Sequence, residues 1–215
     1  NMTMLSARLR ELGIESFHME AVKDDPTVMS EKLKEAAKAA DMIITTGGVS
    51  VGKKDIMHES LRLMGAERIF WRVKMKPGMP TLFSAYKKTS DITATDNCAS
   101  EREIPIISLS GNPFGVAVSI ELLIRPALEK MMQDPSIGLK EVNGIMADNF
   151  EKGIKGRRFI RAYLENGKFH LPNGLHSNGV LSSMAGCNCL IDTKTMENQE
   201  SRSLNAGDKV GAILL

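Results

Sequence analysis

Residues 45–55 combine small and hydroxyl-bearing residue types in a pattern that could bind an anion. Six of them are glycine, threonine or serine: Thr45, Thr46, Gly47, Gly48, Ser50 and Gly52. Glycine lets the backbone turn tightly, so that backbone N–H groups can approach a ligand closely. The composition therefore indicates a phosphate-binding loop. A tight turn without a ligand is the alternative, because glycine is common in turns of every kind.

The elements on either side of this loop favour the phosphate interpretation. The short apolar run at residues 42–44 predicts a buried strand. Residues 56–64 show an apolar helical stripe, and Gly65 follows as a helix-ending residue. A loop between a strand and a helix lies at the helix N-terminus, where the helix dipole and free N–H groups favour an anion.

Asp55 closes the loop with a carboxylate, which would repel a bare phosphate. A metal ion would remove this conflict, because Mg²⁺ bridges carboxylate and phosphate oxygens. The loop matches neither a Walker motif nor a Gly-x-Gly-x-x-Gly motif, because the required lysine and glycine spacings are absent.

Two further segments follow predicted strands. The apolar–basic alternation of residues 69–75 predicts a strand with one solvated face, and Lys76 stands at its end before Pro77-Gly78. Ser110-Gly111-Asn112-Pro113 follows a second buried strand, at residues 104–109. Loops that follow parallel strands open at one edge of a doubly wound sheet. We therefore expect residues 45–55, Lys76 and residues 110–113 to share one rim.

Patterning along the chain predicts two domains. Residues 1–135 alternate helical and strand patterns, which predicts an α/β domain with a doubly wound, mostly parallel sheet; the loose alternation of residues 14–22 could add a strand. Residues 87–103 are polar and aperiodic, as in a surface loop. Short strand-like segments predict a small all-β barrel or sandwich over residues 141–215, with a linker at 133–140.

Composition excludes several classes of protein. A net charge of +2 over 215 residues offers no electrostatic case for nucleic-acid binding. The sequence has neither an apolar run long enough for a membrane span nor a signal peptide. Cys187 and Cys189 are separated by one residue, a poor spacing for a disulfide or a zinc site, so reduced thiols in the cytoplasm are expected.

The motifs Thr-Thr-Gly-Gly-Val-Ser-Val-Gly-x-x-Asp, Lys76-Pro77-Gly78 and Ser110-Gly111-Asn112-Pro113 together resemble the molybdopterin molybdenumtransferase family, which includes MoeA and the E domain of gephyrin. The resemblance covers nearly the whole chain. It implies a molybdopterin-binding α/β domain followed by a small β-barrel. It also implies that further domains, and an opening strand with an acidic motif, precede Asn1.

The resemblance implies a reaction in molybdenum cofactor biosynthesis. Adenylylated molybdopterin is cleaved, molybdate is placed on its dithiolene and AMP is released, with Mg²⁺ assisting. Phosphate would be held by Gly47, Gly48, Ser50 and Gly52. The other residues that would bind the molybdopterin substrate are Thr46, Ser110, Gly111, Asn112 and Pro113. Asp55 and Asp24 would bind Mg²⁺ or position molybdate, and Lys76 would neutralise phosphate charge. From the residues alone, Asp24 fits a turn equally well. A homodimer is implied, because a second subunit completes the cleft in the family.

Two positions depart from the family pattern. Met79 stands where the family often has a second lysine, and Ser110 stands where it has proline. Two other functions remain as alternatives. A molybdopterin adenylyltransferase shares the first domain but lacks the β domain. A non-catalytic molybdopterin-binding or scaffold module is slightly favoured by Met79.

Overall fold

The computed structural model of this chain describes residues 1–49, 56–88, 102–154, 156–173, 179, 182–193 and 202–215. Among these residues the helices are α1 (Met2–Glu11), α2 (Pro26–Ala39), α3 (Met57–Met64), α4 (Pro113–Ser119) and α5 (Arg125–Met132). The strands are β1 (Ile43–Thr46), β2 (Glu67–Trp71), β3 (Met75–Lys76), β4 (Leu82–Lys88), β5 (Arg102–Leu109), β6 (Lys140–Met146), β7 (Phe150–Ile154), β8 (Arg157–Glu165), β9 (Lys168–His170), β10 (Cys189–Thr193), β11 (Arg202–Leu204) and β12 (Lys209–Leu214). None of the described helices is both long and apolar enough to cross a membrane.

The chain divides into two compact units. Unit 1 comprises Asn1–Val73 and Pro80–Gly111, and unit 2 comprises Lys74–Met79 and Asn112–Leu215. The short segment Lys74–Met79 therefore belongs to unit 2, although unit 1 contains the residues on both sides of it. Each unit has its own hydrophobic core.

The sheet of unit 1 is mixed, whereas a mostly parallel sheet was expected. Its strand order is β1-β5-β4-β2; β1 is parallel to β5, but β5–β4 and β4–β2 are antiparallel. The connection between β2 and β4 contains no helix, and strands joined without a helical crossover pair antiparallel. The strand expected at residues 14–22 does not form, since no described strand pairs with this segment to complete its backbone hydrogen bonds.

Local capping explains the helices of unit 1. The Asp25 carboxylate accepts hydrogen bonds from the backbone N–H groups of Thr27 (2.9 Å) and Val28 (3.1 Å), with Pro26 as the first residue of α2. A cap of this kind contributes about 1 kcal/mol. Helix α3 ends at Gly65, which has a left-handed φ of 87°. The helix end predicted at Gly65 is thus confirmed.

The single strand expected at residues 69–75 is divided between the two units. β2 ends at Trp71, and Arg72 takes a left-handed φ of 74°, which turns the chain before Met75 begins β3. β3 pairs in parallel with β8, with Lys76 opposite Arg158. Lys76 is therefore at the end of a strand, as expected, but that strand belongs to unit 2.

Unit 2 contains a closed five-stranded barrel, so the structure confirms the barrel and excludes the sandwich. Its strands follow the order β10-β12-β6-β9-β8, and β8 also pairs with β10. The hairpin between β8 and β9 turns at Asn166 and Gly167, both with positive φ, as the sequence indicated. The barrel core includes Ile160, Ala162 and Phe169.

Arg125 forms hydrogen bonds that link the helical part of unit 2 to the last strand of the barrel. Its buried guanidinium pairs with Glu121 (3.0 Å) and donates to the carbonyl oxygens of Ile137 (2.5 Å), Gly138 (2.9 Å) and Leu214 (3.2 Å). A π-helical turn at Ile120–Ile124 joins α4 to α5, and Pro135–Ile137 forms a 3-10 turn with Ile137 buried. The expected linker at 133–140 is therefore partly an ordered part of unit 2.

Candidate functional site

The ends of β1 and β5 bring two of the predicted turns together. Thr46 and Leu109 are partners in the parallel register, so the residues after them leave the sheet at the same edge. The Gly47 N–H donates to the Leu109 carbonyl oxygen at 2.8 Å. A Cβ atom placed on Gly111 would lie 3.7 Å from the Gly47 Cα atom, which shows how closely the two backbones approach. Thr46, Gly47, Gly48, Ser110 and Gly111 are called the turn group below.

Gly48 occupies a position that other residues would strain. Its φ is +67°, and an added Cβ atom would lie 3.3 Å from the Met57 Cγ atom. Its carbonyl oxygen accepts the Met57 N–H at 3.2 Å, which ties the turn to the first residue of α3. The requirement for glycine inferred from composition therefore has a steric reason at this residue.

A buried hydroxyl and an amide complete the turn group. The Ser110 Oγ atom is buried and has no hydrogen-bond partner in the part of the chain that the structure describes. Asn1 donates its side-chain amide to the Gly111 carbonyl oxygen at 3.0 Å, which holds the second turn in place. A buried hydroxyl without a partner is costly, so this atom is suited to receive a ligand or a water molecule.

Of the two acidic residues expected at this site, only Asp24 lies in the part of the chain that the structure describes. Asp24 is exposed in the segment before α2, where Asp25 is the capping residue. Ser50, Gly52 and Asp55 lie outside the described residues, so their roles stay predictions. Within the described ranges no group of three or more His, Cys, Asp and Glu side chains could hold a metal ion.

Asn112 and Pro113 start α4 in unit 2. The Asn112 side-chain oxygen accepts the Gly115 N–H at 3.1 Å, and Pro113 is the first helical residue. This is the cap expected from the Ser-Gly-Asn-Pro motif. In the described structure these two residues act as helix-capping residues.

Lys76 lies in unit 2 with two arginines that the sequence analysis did not select. A pocket of about 290 Å³, including solvent at its mouth, is lined by Lys76, Pro77, Phe114, Phe150, Arg158, Phe159, Ile160 and Arg161. We call this site the arginine pocket. Much of that volume is open solvent, and the space enclosed by these side chains is small, which suits a small anion better than a whole nucleotide.

The Pro77-Gly78 turn that carries Lys76 packs tightly within unit 2. Gly78 has a φ of +96°, and a Cβ atom there would lie 2.6 Å from Met75 Cε and 2.8 Å from Ser119 Oγ. Because no side chain fits at this position, the turn can lie directly against α4. Met79, the next residue, is half exposed, at 50%.

Burial makes the two arginines of the pocket receptive to a negative charge. Burial lowers the pKa of the Arg158 and Arg161 guanidinium groups, since it disfavours their charged forms. Arg158 Nε is buried with no hydrogen-bond partner among the described residues, whereas Arg161 contacts the Ser183 hydroxyl. An oxyanion would supply the missing acceptor and offset the desolvation of the charge.

The sequence analysis missed this pocket because strand periodicity separates its arginines. Arg158 and Arg161 are three residues apart, so alternation along a strand assigns them to opposite faces of β8. Both nevertheless line one pocket, with Arg161 only 1% exposed. The available signal was the density of arginine and phenylalanine in residues 157–161, which is unusual for a strand that is largely buried.

Two family models match the chain in succession. Residues 1–130 match the model described as a probable molybdopterin binding domain, and residues 143–215 match the MoeA C-terminal region (domain IV). Curated relatives include a Staphylococcus aureus molybdopterin molybdenumtransferase, 30% identical over 217 residues, which covers 100% of this chain and 47% of the relative. A Bacillus subtilis protein of the same name is 27% identical over 194 residues, which covers 89% of this chain and 42% of the relative. The chain thus spans about half the length of the curated relatives it matches.

Solved structures support the fold. The chain matches a molybdopterin biosynthesis MoeA protein from Pyrococcus horikoshii with a TM-score of 0.67 and 22% identity, covering 99% of this chain and 45% of the other. A molybdenum cofactor biosynthesis protein from Pyrococcus furiosus gives a TM-score of 0.69 and 20% identity, with 100% and 64% coverage. At these identities the likeness shows the fold alone. The two successive family matches lead to one conclusion: the chain belongs to the MoeA family.

Proposed function

We propose that this chain is part of a molybdopterin molybdenumtransferase, which inserts molybdate into adenylylated molybdopterin and releases AMP. The curated relatives carry this name, and the arginine pocket is the observation that supports the proposal most directly. An enzyme that handles molybdate needs a site for a small, doubly charged oxyanion. Lys76, Arg158 and Arg161 offer three cationic side chains at such a site.

The arginine pocket is proposed to bind molybdate. The planar guanidinium groups of Arg158 and Arg161 match the oxygen edges of a tetrahedral oxyanion, and Lys76 adds a point charge. Because both arginines are partly desolvated, their attraction to an anion exceeds that of surface lysines. The same groups would hold negative charge on molybdate oxygens while those oxygens are displaced by dithiolene sulfurs.

The turn group is proposed to bind phosphate of the adenylylated substrate. The glycine turn at Gly48, the buried Ser110 hydroxyl and the N-terminus of α3 favour an anion there, whereas the Gly47 N–H is already bound to the Leu109 carbonyl oxygen. Ser50 and Gly52 are proposed to extend this site, and Asn112 and Pro113 to set the adjoining turn. The doubly wound arrangement is likewise proposed for the full-length protein, around the parallel pair β1 and β5.

Magnesium does not yet have a fitting site among the described residues. Asp24 is a single exposed carboxylate, and Asp55 lies outside the described ranges. We therefore derive no catalytic step through Mg²⁺. Binding of Mg²⁺ by Asp24 and Asp55 stays a proposal; if it is correct, Asp55→Asn removes most metal-dependent AMP release and leaves the unfolding curve unchanged.

Further proposals concern the setting of the enzyme. The functional domains are proposed as residues 1–135 and 141–215, and the active protein is proposed to be a cytoplasmic homodimer that binds small molecules and neither nucleic acid nor membranes. The second candidate function is a non-catalytic molybdopterin-binding module, which Met79 favours because it removes a cation from the Lys-Pro-Gly turn. The barrel of unit 2 argues against an adenylyltransferase, which would lack that domain.

Molybdate-dependent AMP release by the full-length protein tests the proposal. We expect adenylylated molybdopterin to be cleaved when molybdate is added, and the rate to fall strongly in Lys76→Ala. Arg157→Ala is the control, because Arg157 is already paired with Asp192 at 2.7 and 3.0 Å and does not line the pocket. Binding of both substrates without AMP release would favour the non-catalytic module.

A further inference from the structure

We propose that Phe114 is a positioning residue that holds the Arg161 guanidinium group for anion binding; this inference rests on the proposed function of the arginine pocket. The Arg161 Cζ atom lies 3.8 Å from the centroid of the Phe114 ring. Both side chains are buried, at 1% and 3% exposure. A guanidinium held against an aromatic face in a buried site makes a stronger cation–π interaction than one in water.

Stacking fixes the guanidinium without using its hydrogen-bond donors. The five N–H groups of arginine lie in the plane of the guanidinium, and the ring contact measured here is to the central Cζ atom, at 3.8 Å from the ring centroid. The Ser183 hydroxyl accepts from Arg161 Nη1 and so limits rotation within the plane. Ring and hydroxyl both restrict the orientation of the guanidinium group. The aromatic contact also adds no negative charge that would weaken attraction to an oxyanion.

Two neighbouring arginine–phenylalanine pairs show that 3.8 Å is a close contact for this pocket. Arg158 Cζ is 5.7 Å from the Phe150 centroid, near the limit for such interactions. Arg157 Cζ is 5.0 Å from the Phe159 centroid, and its two bonds to Asp192 also hold it. Phe114 is therefore the aromatic residue best placed to orient an arginine of the pocket.

The start of α4 determines where the Phe114 ring lies. Phe114 is the second residue of the helix, directly after Pro113 and the Asn112 cap. Pro113 has a restricted φ, and the Asn112 side chain fixes the first turn through Gly115. The Asn112-Pro113 motif thus serves the arginine pocket indirectly, by aiming the residue that follows it.

Molybdate titration calorimetry on variants of the full-length protein tests the proposal. We expect Phe114→Leu to weaken molybdate binding about tenfold, and Phe114→Tyr, which keeps the ring, to change it less than about twofold. Phe169→Leu is the matched control, since Phe169 is equally buried in the barrel core but does not line the pocket. Equal losses for Phe114→Leu and Phe169→Leu would overturn the proposal, because they would reflect general loosening of unit 2.

Replacing Phe114 by fluorinated phenylalanines separates electrostatics from shape. Successive ring fluorines weaken the negative face of the ring with little change in size, so affinity for molybdate should fall in steps from phenylalanine to trifluorophenylalanine. A merely structural role for the ring predicts a flat series. A flat series would therefore overturn the proposal.

Dynamics of Arg161 without a ligand distinguish this inference from the proposed function. Nitrogen-15 NMR of the Arg161 Nε–Hε group should show faster rotation about the Cζ–Nε bond in Phe114→Leu and no change in Phe169→Leu. If the natural protein binds no molybdate, the proposed role of the pocket fails, and the NMR comparison still decides whether Phe114 holds Arg161. Unchanged Arg161 dynamics in Phe114→Leu would overturn the positioning role.

Discussion

The turn group of unit 1 and the arginine pocket of unit 2, which we propose as two anion sites, are built by different means. The turn group uses backbone atoms of two short turns, with Gly47 N–H bound to Leu109 and Gly48 tied to α3. The pocket uses charged side chains from segments as far apart in the chain as residues 76 and 161. A site built from backbone leaves a local mark in the sequence as glycine and proline, whereas a site built from distant side chains leaves no local mark.

The largest expected effect concerns the reactivity of Cys189, a residue of the barrel strand β10. Cys189 is fully buried and its thiol contacts the Ala162 carbonyl oxygen at 3.4 Å; burial, and to a lesser extent Cys187, raises the pKa of Cys189 to about 12. At pH 8 its thiolate fraction should be roughly a thousandfold below that of a thiol with an ordinary pKa. Alkylation of Cys189 by iodoacetamide, followed by mass spectrometry, should be slower by up to that factor than in denatured protein.

The same pKa shift predicts the direction of a stability change. A thiol whose pKa is raised in the folded state stabilises the fold fully below pH 9, and this contribution is lost as the pH rises towards 12. The unfolding free energy of the natural protein should therefore fall more steeply above pH 9 than that of Cys189→Ala.

Cys187 is partly exposed; burial raises its pKa, and nearby Arg161 opposes the shift. Equal alkylation rates for the two cysteines would contradict a closed barrel wall.

Removing one arginine tests whether the two anion sites are separate. Arg161→Leu should weaken molybdate binding by up to about a hundredfold, since a charge-assisted contact contributes about 1.5–3 kcal/mol. AMP binding, which we assign to the turn group, should change less than about twofold. Calorimetry with each ligand measures both values, and Arg157→Leu serves as the exposed, ion-paired control. A similar loss of affinity for molybdate and for AMP would mean that the arginine pocket and the turn group are not separate binding sites.

Gly48→Val tests the backbone site in the same way. A β-branched residue at a φ of +67° is strained, and its Cβ atom would lie 3.3 Å from the Met57 Cγ atom. We therefore expect the unfolding free energy to fall by about 2 kcal/mol and AMP binding to be lost. Gly65→Val is the control, since Gly65 also has a positive φ but has open space around it. Urea unfolding of both variants isolates the cost of the Met57 contact. An unaltered AMP affinity in a folded Gly48→Val protein would exclude the turn group as a ligand site.

Met79→Lys should have the smallest effect. A lysine at position 79 would add a charge beside the Lys-Pro-Gly turn, but Met79 is 50% exposed, so solvent would screen the interaction. We expect a gain in molybdate affinity of up to about fivefold, corresponding to a contribution of about 0.2–1 kcal/mol. The gain should shrink in high salt. Equal affinities for both variants at low salt would show that this side chain points away from the ligand.

Prediction from sequence succeeded where a structure depends on neighbours along the chain. Gly65 ends a helix where the sequence predicts it. Asp25-Pro26, Asn112-Pro113 and the turn at residues 165–168 are signals of the same local kind, because caps and turns act over a few residues. Repeated short strands and turns also predicted an all-β domain, barrel or sandwich, and the family resemblance implied the barrel.

The remaining features depend on contacts between distant segments. Residues 14–22 alternate as a strand would, yet pairing decides whether a strand forms, and the described chain offers no partner. The direction of β4 follows from its hairpin-like return from β2, which apolar patterning does not report. Arg158 and Arg161 meet at one pocket through the shape of the barrel wall, which strand periodicity alone does not predict.

The segment Lys74–Met79 limits how this protein can be divided or recombined. The chain leaves unit 1 after Val73, contributes six residues to unit 2, and returns at Pro80. Splitting the gene once, at residue 111 or beyond, would give a C-terminal product that lacks Lys76 and lacks β3, which pairs with the start of β8. Exchange of barrels between family members would leave the lysine with one parent and the arginines with the other. Two family members whose barrels are exchanged must therefore have compatible sequences at Lys74–Met79 as well as within the barrel.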